Sequence, residues 1–135
     1  MREILFRGKR KANADWVHGD LSFHRDGRTY IRCWDRLEHS PTYNAYEVDP
    51  STIGQFTGLT DKNGKRIFEG DIIKVEYVGV NRGLSGIGKV VFEQCKFALI
   101  WGWHKEVVCL THFSNVTFEV IGNIHDNPEL LEVAK

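Results

Sequence analysis

The amino-acid sequence predicts a mainly β protein: a small bent sheet or partly closed barrel with an N-terminal β lobe and a short C-terminal helix. Two patterns support this prediction. Apolar and polar residues alternate with a period of two along most of the chain, as in strands that bury one face. Tight-turn residues separate these stretches at short intervals, and Asn63-Gly64 is the strongest hairpin signal among them. Short strands linked in this way are typical of a small, strongly bent sheet.

The N-terminal lobe, residues 1–50, is predicted to contain three strands, at residues 4–7, 16–23 and 29–34. Asp26-Gly27 lies between the second and third strands, where glycine supplies the positive φ of a tight turn. Residues 36–46 show no clear period and are interpreted as a loop.

A single helical turn is expected where the lobe ends. Asp49 can cap free amides and Pro50 fits the first helical position, but Gly54 follows closely and limits the helix to one turn. We take this turn as the boundary between the lobe and a main, barrel-like domain at residues 51–135.

The main domain is predicted to contain seven strands, at residues 53–59, 66–68, 72–78, 89–93, 97–103, 107–112 and 116–124. A glycine-rich loop from Gly79 to Gly88 separates the third and fourth of them. Asn127 and Pro128 then open a short C-terminal helix, because Asn caps amides and Pro fits the first turn.

The composition is that of an ordinary globular protein. The chain has 135 residues, of which 41% are hydrophobic and 27% are charged. Eighteen basic residues balance eighteen acidic ones. This balance argues against a protein whose main affinity comes from neutralising many phosphates. It leaves room for a local patch, since residues 2–11 are strongly basic and residues 119–132 are acidic.

The sequence predicts a cytoplasmic protein. The opening MREILFRGKRK has only three consecutive apolar residues, too few for a signal peptide. The longest apolar run, residues 97–103, is too short to span a bilayer. Cys33, Cys95 and Cys109 show no paired spacing and lie in apolar stretches, which indicates buried thiols in a reducing compartment.

Three segments resemble the YopX family of phage and prophage proteins. They are the central run IGQFTGLTDKNGKRIFEGDIIKV, the opening ILFRGKRK…DWVHG and the closing FEVIGNIHDNPELL, which together span nearly the whole chain. The resemblance implies a mainly β protein, encoded by a phage or prophage and made in the cytosol of a bacterial host. It implies no activity, cofactor or catalytic residue.

A phosphate-binding loop is the first chemical motif to weigh. Gly83 to Lys89 matches the G-x-x-x-x-G-K part of that motif, but Val90 stands where Ser or Thr would hold magnesium. The motif must also open a helix, and KVVFE is a strand pattern. The match therefore indicates a hairpin loop and not a nucleotide site.

Two carboxylates, Glu69 and Asp71, flank Gly70. They could share a proton or bind a divalent ion. The alternative, which we favour, is a turn. In it, Asp71 accepts a hydrogen bond from a nearby amide and Gly70 adopts a backbone conformation that other residues rarely adopt.

Zinc ligation and an aromatic binding face are two further possibilities. Cys95, His104, Cys109 and His112 have irregular spacing, which does not predict a metal site, while a Cys-His nucleophilic pair stays open. Trp101 and Trp103 share one strand face with Phe97 and Leu99 and could stack bases, but such a stripe is more often core.

Three classes of function remain open. The sequence favours a non-enzymatic binding or assembly module with a macromolecular partner, which could also form homo-oligomers through exposed strand edges. The alternatives are a carboxylate-dependent hydrolase that uses Glu69 or Asp71, and a nucleic-acid-binding protein that uses the basic N-terminal segment. No catalytic, cofactor-binding or metal-binding residue is assigned.

Overall fold

The computed structural model describes residues 3–34, 43–77, 85–93, 95–101, 106–109 and 116–133. These residues form strands β1 (Phe6–Lys9), β2 (Trp16–Phe23), β3 (Thr29–Trp34), β4 (Tyr43–Glu47), β5 (Gly54–Thr60), β6 (Arg66–Phe68), β7 (Asp71–Tyr77), β8 (Ser85–Glu93), β9 (Lys96–Trp101), β10 (Glu106–Cys109) and β11 (Val116–Asn123), a 3-10 turn (Pro50–Thr52) and helix α1 (Glu129–Val133). The predicted mainly β fold with a short C-terminal helix is confirmed. Contacts divide the chain into two compact units, residues 1–56 and 57–135.

The first unit is built on an antiparallel sheet. Its strands follow the order β4-β3-β2-β1, and the first residues of β5 pair with the other edge of β1. A bridge between Arg10 and Val48 joins the end of β1 to the segment that follows β4. Ile31 and Val48 are fully buried. Gly19 has to be glycine, because a Cβ there would collide with the carbonyl oxygen of Arg32.

The second unit holds the rest of β5, which continues into the β6 hairpin, and a five-stranded antiparallel sheet of order β10-β9-β8-β7-β11. Its core residues are Ile67, Ile73, Val75, Val90 and Leu99. Among the described strands, this sheet stays open at β10 and β11 and does not close into a barrel.

The turns predicted from local signals are present. Gly27 and Gly64 have φ of +89° and +80°, as the two predicted hairpin turns require. Asp49 caps the 3-10 turn through a hydrogen bond from the Ser51 N–H to its side chain. The bounds of β2, β3 and β6 agree with the predicted strands, whereas β1 begins two residues later than expected.

Two predicted loops are wrong where the structure describes them. Residues 43–46 belong to strand β4, because pairing with β3 holds a short strand that has no hydrophobic period of its own. Gly86 and Gly88, expected in the loop from Gly79 to Gly88, lie in β8 opposite Val75 and Ile73 of β7. Residues 79–84 of that loop lie outside the described part of the chain.

Candidate functional site

Cationic and aromatic side chains share one face of strands β1 and β2. The antiparallel register places Lys9 opposite Trp16 and Arg7 opposite His18. Directly opposed residues project to the same side of a sheet, so all four side chains lie together. We call these four residues, Arg7, Lys9, Trp16 and His18, the basic–aromatic surface.

Trp16 is the centre of this surface. The Arg7 guanidinium carbon lies 4.7 Å from the centroid of the indole ring, and the Lys9 Nζ lies 5.5 Å from it. Both distances fall within the range of cation–π attraction, in which the negative ring face stabilises a positive charge. Trp16 is half-buried, His18 is exposed and Arg7 is only 8% exposed. The ring is therefore held in a defined position while part of it faces solvent.

A third cation of the same segment is ordered by a second ring. The guanidinium carbon of Arg10 lies 4.2 Å from the centroid of Tyr46 in the first unit. Lys11 follows and pairs with Glu47, with 3.3 Å between Nζ and Oε2 and side chains that are 56% and 32% exposed. An ion pair this exposed contributes little to stability.

The Asp49–Thr52 turn is hydrogen-bonded to strand β1. The backbone N–H of Lys9 donates to Thr52 Oγ1 over 2.9 Å, and that hydroxyl donates to the Asp49 carbonyl oxygen over 2.6 Å. The Asp49 carboxylate in turn accepts from the backbone and the hydroxyl of Ser51. The helix-start signal in the sequence located this turn, but nothing in the sequence indicated that it contacts Lys9.

The Asp71 carboxylate accepts a hydrogen bond from the backbone. Asp71 is 2% exposed, and its Oδ2 accepts a 2.7 Å hydrogen bond from the Phe68 N–H. Gly70 has a φ of +93°, its N–H donates to the Val90 carbonyl, and its own carbonyl accepts from the Ile124 N–H. The turn interpretation of Asp71 and Gly70 is thus confirmed by the geometry.

A second buried carboxylate, Asp61, was not singled out by the sequence. Asp61 is 7% exposed and accepts hydrogen bonds from the backbone N–H groups of Asn63 and Lys65 at 2.9 Å and of Val120 at 3.0 Å. Burial raises the pKa of this carboxyl, but the three N–H donors and the Lys65 charge outweigh it and hold the pKa below its usual value. The signal that could have revealed it is the Asp before Asn63-Gly64, a residue type that bonds turn amides.

The described part of the glycine-lysine motif, residues 85–89, lies in a strand. Gly88 and Lys89 belong to β8, and Val90, the next residue, is 1% exposed in the core of the second unit. A phosphate loop needs the first amides of a helix at this point. Here the chain is instead a β-strand, which is hydrogen-bonded to β7 and β9.

The cysteines differ from one another in exposure. Cys33 is half-buried, and burial raises the pKa of its thiol more than the His18 backbone and the Arg10 charge lower it. Cys95 is exposed, so the expected core thiol is wrong there. The register of Glu93 with Lys96 places Cys95 in the β8–β9 turn, where it has a φ of +62°.

The remaining zinc and aromatic candidates are only partly described. Cys109 ends β10, while His104, His112 and Trp103 lie outside the described residues. Within the described ranges, no cluster of three or more His, Cys, Asp or Glu residues could hold a metal ion. Leu99 is fully buried in the core cluster of the second unit and Phe97 packs against that cluster, so the first half of the predicted aromatic stripe is core, which is the interpretation that the sequence favoured.

Comparisons with known proteins agree on the fold. The sequence profile of the family described as YopX protein matches residues 5–132. The crystal structure of protein YopX from Bacillus subtilis is similar, with a TM-score of 0.64 and 18% identity over 97% of this chain and 99% of that chain. A crystal structure of a protein from Enterococcus faecalis is also similar, with a TM-score of 0.58 and 24% identity over 97% of this chain and 99% of that chain. The comparison with curated proteins finds no match.

Helix α1 is short, and nowhere in the described ranges is a helix long and apolar enough to cross a membrane.

Proposed function

The chain belongs to the YopX protein family, and we propose that it is a non-enzymatic binding module of a phage or prophage, which engages a macromolecular partner through the basic–aromatic surface. The observation behind this proposal is the position of Arg7 and Lys9 around a half-buried Trp16.

The chemistry of this surface suits recognition. Trp and Arg are the residue types that most often dominate the energy of an interface, because they combine a large apolar area with a directional polar or charged group. Contacts with Trp16 hold the two cations near one geometry before any partner arrives, which lowers the entropy lost on binding. The carbonyl of Lys9 accepts a hydrogen bond from the Asp49 N–H, and the N–H of Lys9 donates to Thr52 Oγ1. These two bonds anchor strand β1.

The burial of Asp71 weighs against one of the two carboxylates of the hydrolase alternative. Asp71 and Asp61 both accept backbone hydrogen bonds in the folded protein. A carboxylate that acts as a general base must be able to reach a substrate or a water molecule. Asp71 is 2% exposed, which does not favour that use.

The test is affinity capture from a bacterial host lysate with the immobilised wild-type protein and three variants. Lys9→Gln and Trp16→Leu alter the basic–aromatic surface, and Arg25→Gln is the matched control, since Arg25 is an exposed cation in the β2–β3 turn of the same unit. Quantitative mass spectrometry and nucleic-acid staining identify the recovered macromolecules, and circular dichroism verifies that each variant is folded.

We expect a macromolecule that the wild type and Arg25→Gln recover equally, and that Lys9→Gln and Trp16→Leu lose by about tenfold, as for a central hot spot. Equal recovery by all four folded proteins would overturn the assignment of the surface.

A further inference from the structure

We propose that the partner of the basic–aromatic surface is single-stranded nucleic acid, with a base against Trp16 and phosphates against the cations of the β1 segment. This inference rests on the proposed function and names the ligand class of the same surface. It is carried by the register that joins Arg7, Lys9, Trp16 and His18 on one face.

The indole ring supplies the contact that bases need. Proteins that bind single strands place aromatic side chains along a positively charged face, and successive bases stack on the rings without regard to sequence. Trp16 is half-buried, so the ring keeps solvent-facing area, and its orientation is set by contacts with Arg7 and Lys9. Exposed His18, opposite Arg7, adds a second ring to the same face.

The charge of the segment suits a short stretch of phosphates. Residues 7–11 read Arg-Gly-Lys-Arg-Lys and contain no acidic residue. Lys11 pairs with Glu47 at the surface, where phosphate can compete for the exposed lysine. Arg7 is 8% exposed and holds the ring in place, so the phosphates lie against the half-buried Lys9 and Arg10 and the exposed Lys11.

Single strands fit this surface better than the other anionic polymers. The bases of a duplex are already stacked and cannot offer their faces to Trp16. An acidic protein segment would satisfy the cations but would leave the ring without a stacking partner. The formal net charge of +0 for the whole chain also limits the number of phosphates that can be neutralised. Binding is therefore local and of modest affinity.

Fluorescence anisotropy with a labelled oligothymidylate of about 12 nucleotides tests the proposal, since this length lies within the range that one small β fold covers. We expect micromolar binding that falls about 20- to 50-fold between roughly 50 and 200 mM salt, as for three or four phosphate contacts on a single strand. The duplex of the same sequence should bind more weakly.

The variants separate stacking from charge. Trp16→Leu should weaken binding by about tenfold or more and Trp16→Phe by less, because phenylalanine keeps a stacking face. Lys9→Gln should reduce affinity and lower the salt slope by about 0.7, whereas Arg25→Gln should leave both unchanged. If Trp16→Leu does not fold, Trp16→Phe and Lys9→Gln still decide the outcome.

Three results would overturn the inference: no binding of single strands by the folded wild type, equal loss in Lys9→Gln and Arg25→Gln, or tighter binding of the duplex. Binding of polyglutamate that depends on Lys9, without binding of the oligonucleotide, would reject nucleic acid and leave the proposed function standing. Capture from lysate that ignores the surface variants would instead reject the proposed function itself.

Discussion

The carboxylate of Asp61 accepts a 3.0 Å hydrogen bond from the backbone N–H of Val120, which lies 59 residues further along the chain. The next residue, Lys62, donates its own N–H to the carbonyl oxygen of Phe118 over 2.9 Å. The turn between β5 and β6 thus covers backbone groups of β11, on an outer strand of the five-stranded sheet. A covered outer strand is a poorer template for unwanted pairing.

Replacing Asp61 with Ala should destabilise the protein by about 2–4 kcal/mol, because three partly buried N–H donors lose a charged acceptor. Urea unfolding followed by circular dichroism measures this loss. Asp26→Ala is the matched control, since Asp26 also accepts a turn amide, that of Arg28, but is exposed. It should cost well under 1 kcal/mol. Similar losses in both variants would show that the bond to Val120 adds nothing.

Stability should fall in acid partly through Asp61. The folded-state pKa of Asp61 lies below its ordinary value. The contribution of this carboxylate is therefore complete above the unfolded pKa, about pH 4, and is lost as the pH falls through the folded pKa. In urea midpoints measured from neutral pH to about pH 2.5, the wild type should lose more stability than Asp61→Asn. Parallel curves would contradict this assignment.

The turn around Gly70 should be sensitive to substitution on structural grounds. Gly70→Val forces a β-branched residue to a φ of +93°, and Asp71→Ala removes the buried acceptor of the Phe68 N–H. Each change should cost about 1–3 kcal/mol and lower the thermal midpoint. Gly27→Val is the control for φ alone, since Gly27 has a φ of +89° and open space around its Cβ position. If Gly70→Val and Asp71→Ala both melt like the wild type, a chemical role for Glu69 and Asp71 becomes the better interpretation.

We expect no tight binding of nucleotides. Lys89 lies in strand β8, which pairs with β7 and β9, and the next residue, Val90, is buried in the core. Calorimetric titration with ATP and GTP in the presence of magnesium should give no saturable heat. Micromolar binding that Lys89→Ala abolishes would show this prediction to be wrong.

Self-association is a further prediction. Unpaired strand edges invite pairing between copies, and the basic residues 2–11 complement the acidic residues 119–132. If these charges hold copies together, assembly should weaken with salt, because exposed charges are screened beyond about 8–10 Å at physiological ionic strength. Light scattering after size exclusion at low and high salt measures it. A 15.6 kDa monomer at both strengths would reject the prediction.

Local signals in the sequence were sufficient for much of the fold. Strands β2, β3 and β6 agree with the predicted bounds, because alternation and turn glycines such as Gly27 and Gly64 act over a few residues. The turn around Gly70 and Asp71 could be anticipated for the same reason, since its carboxylate bonds an amide only three residues away.

The tertiary structure decided what depends on residues distant in the chain. Strand β4 and the start of β8 lack a pattern of their own and form because β3 and β7 offer them backbone partners. The sequence shows basic residues near Trp16, but only the register of β1 with β2 brings Arg7 and Lys9 over its ring. Likewise, an aspartate before Asn63-Gly64 predicts a turn, whereas its bond to Val120 exists only once the two segments have folded together. Periodicity reports how each segment buries its own face, and pairing between segments depends on the whole fold.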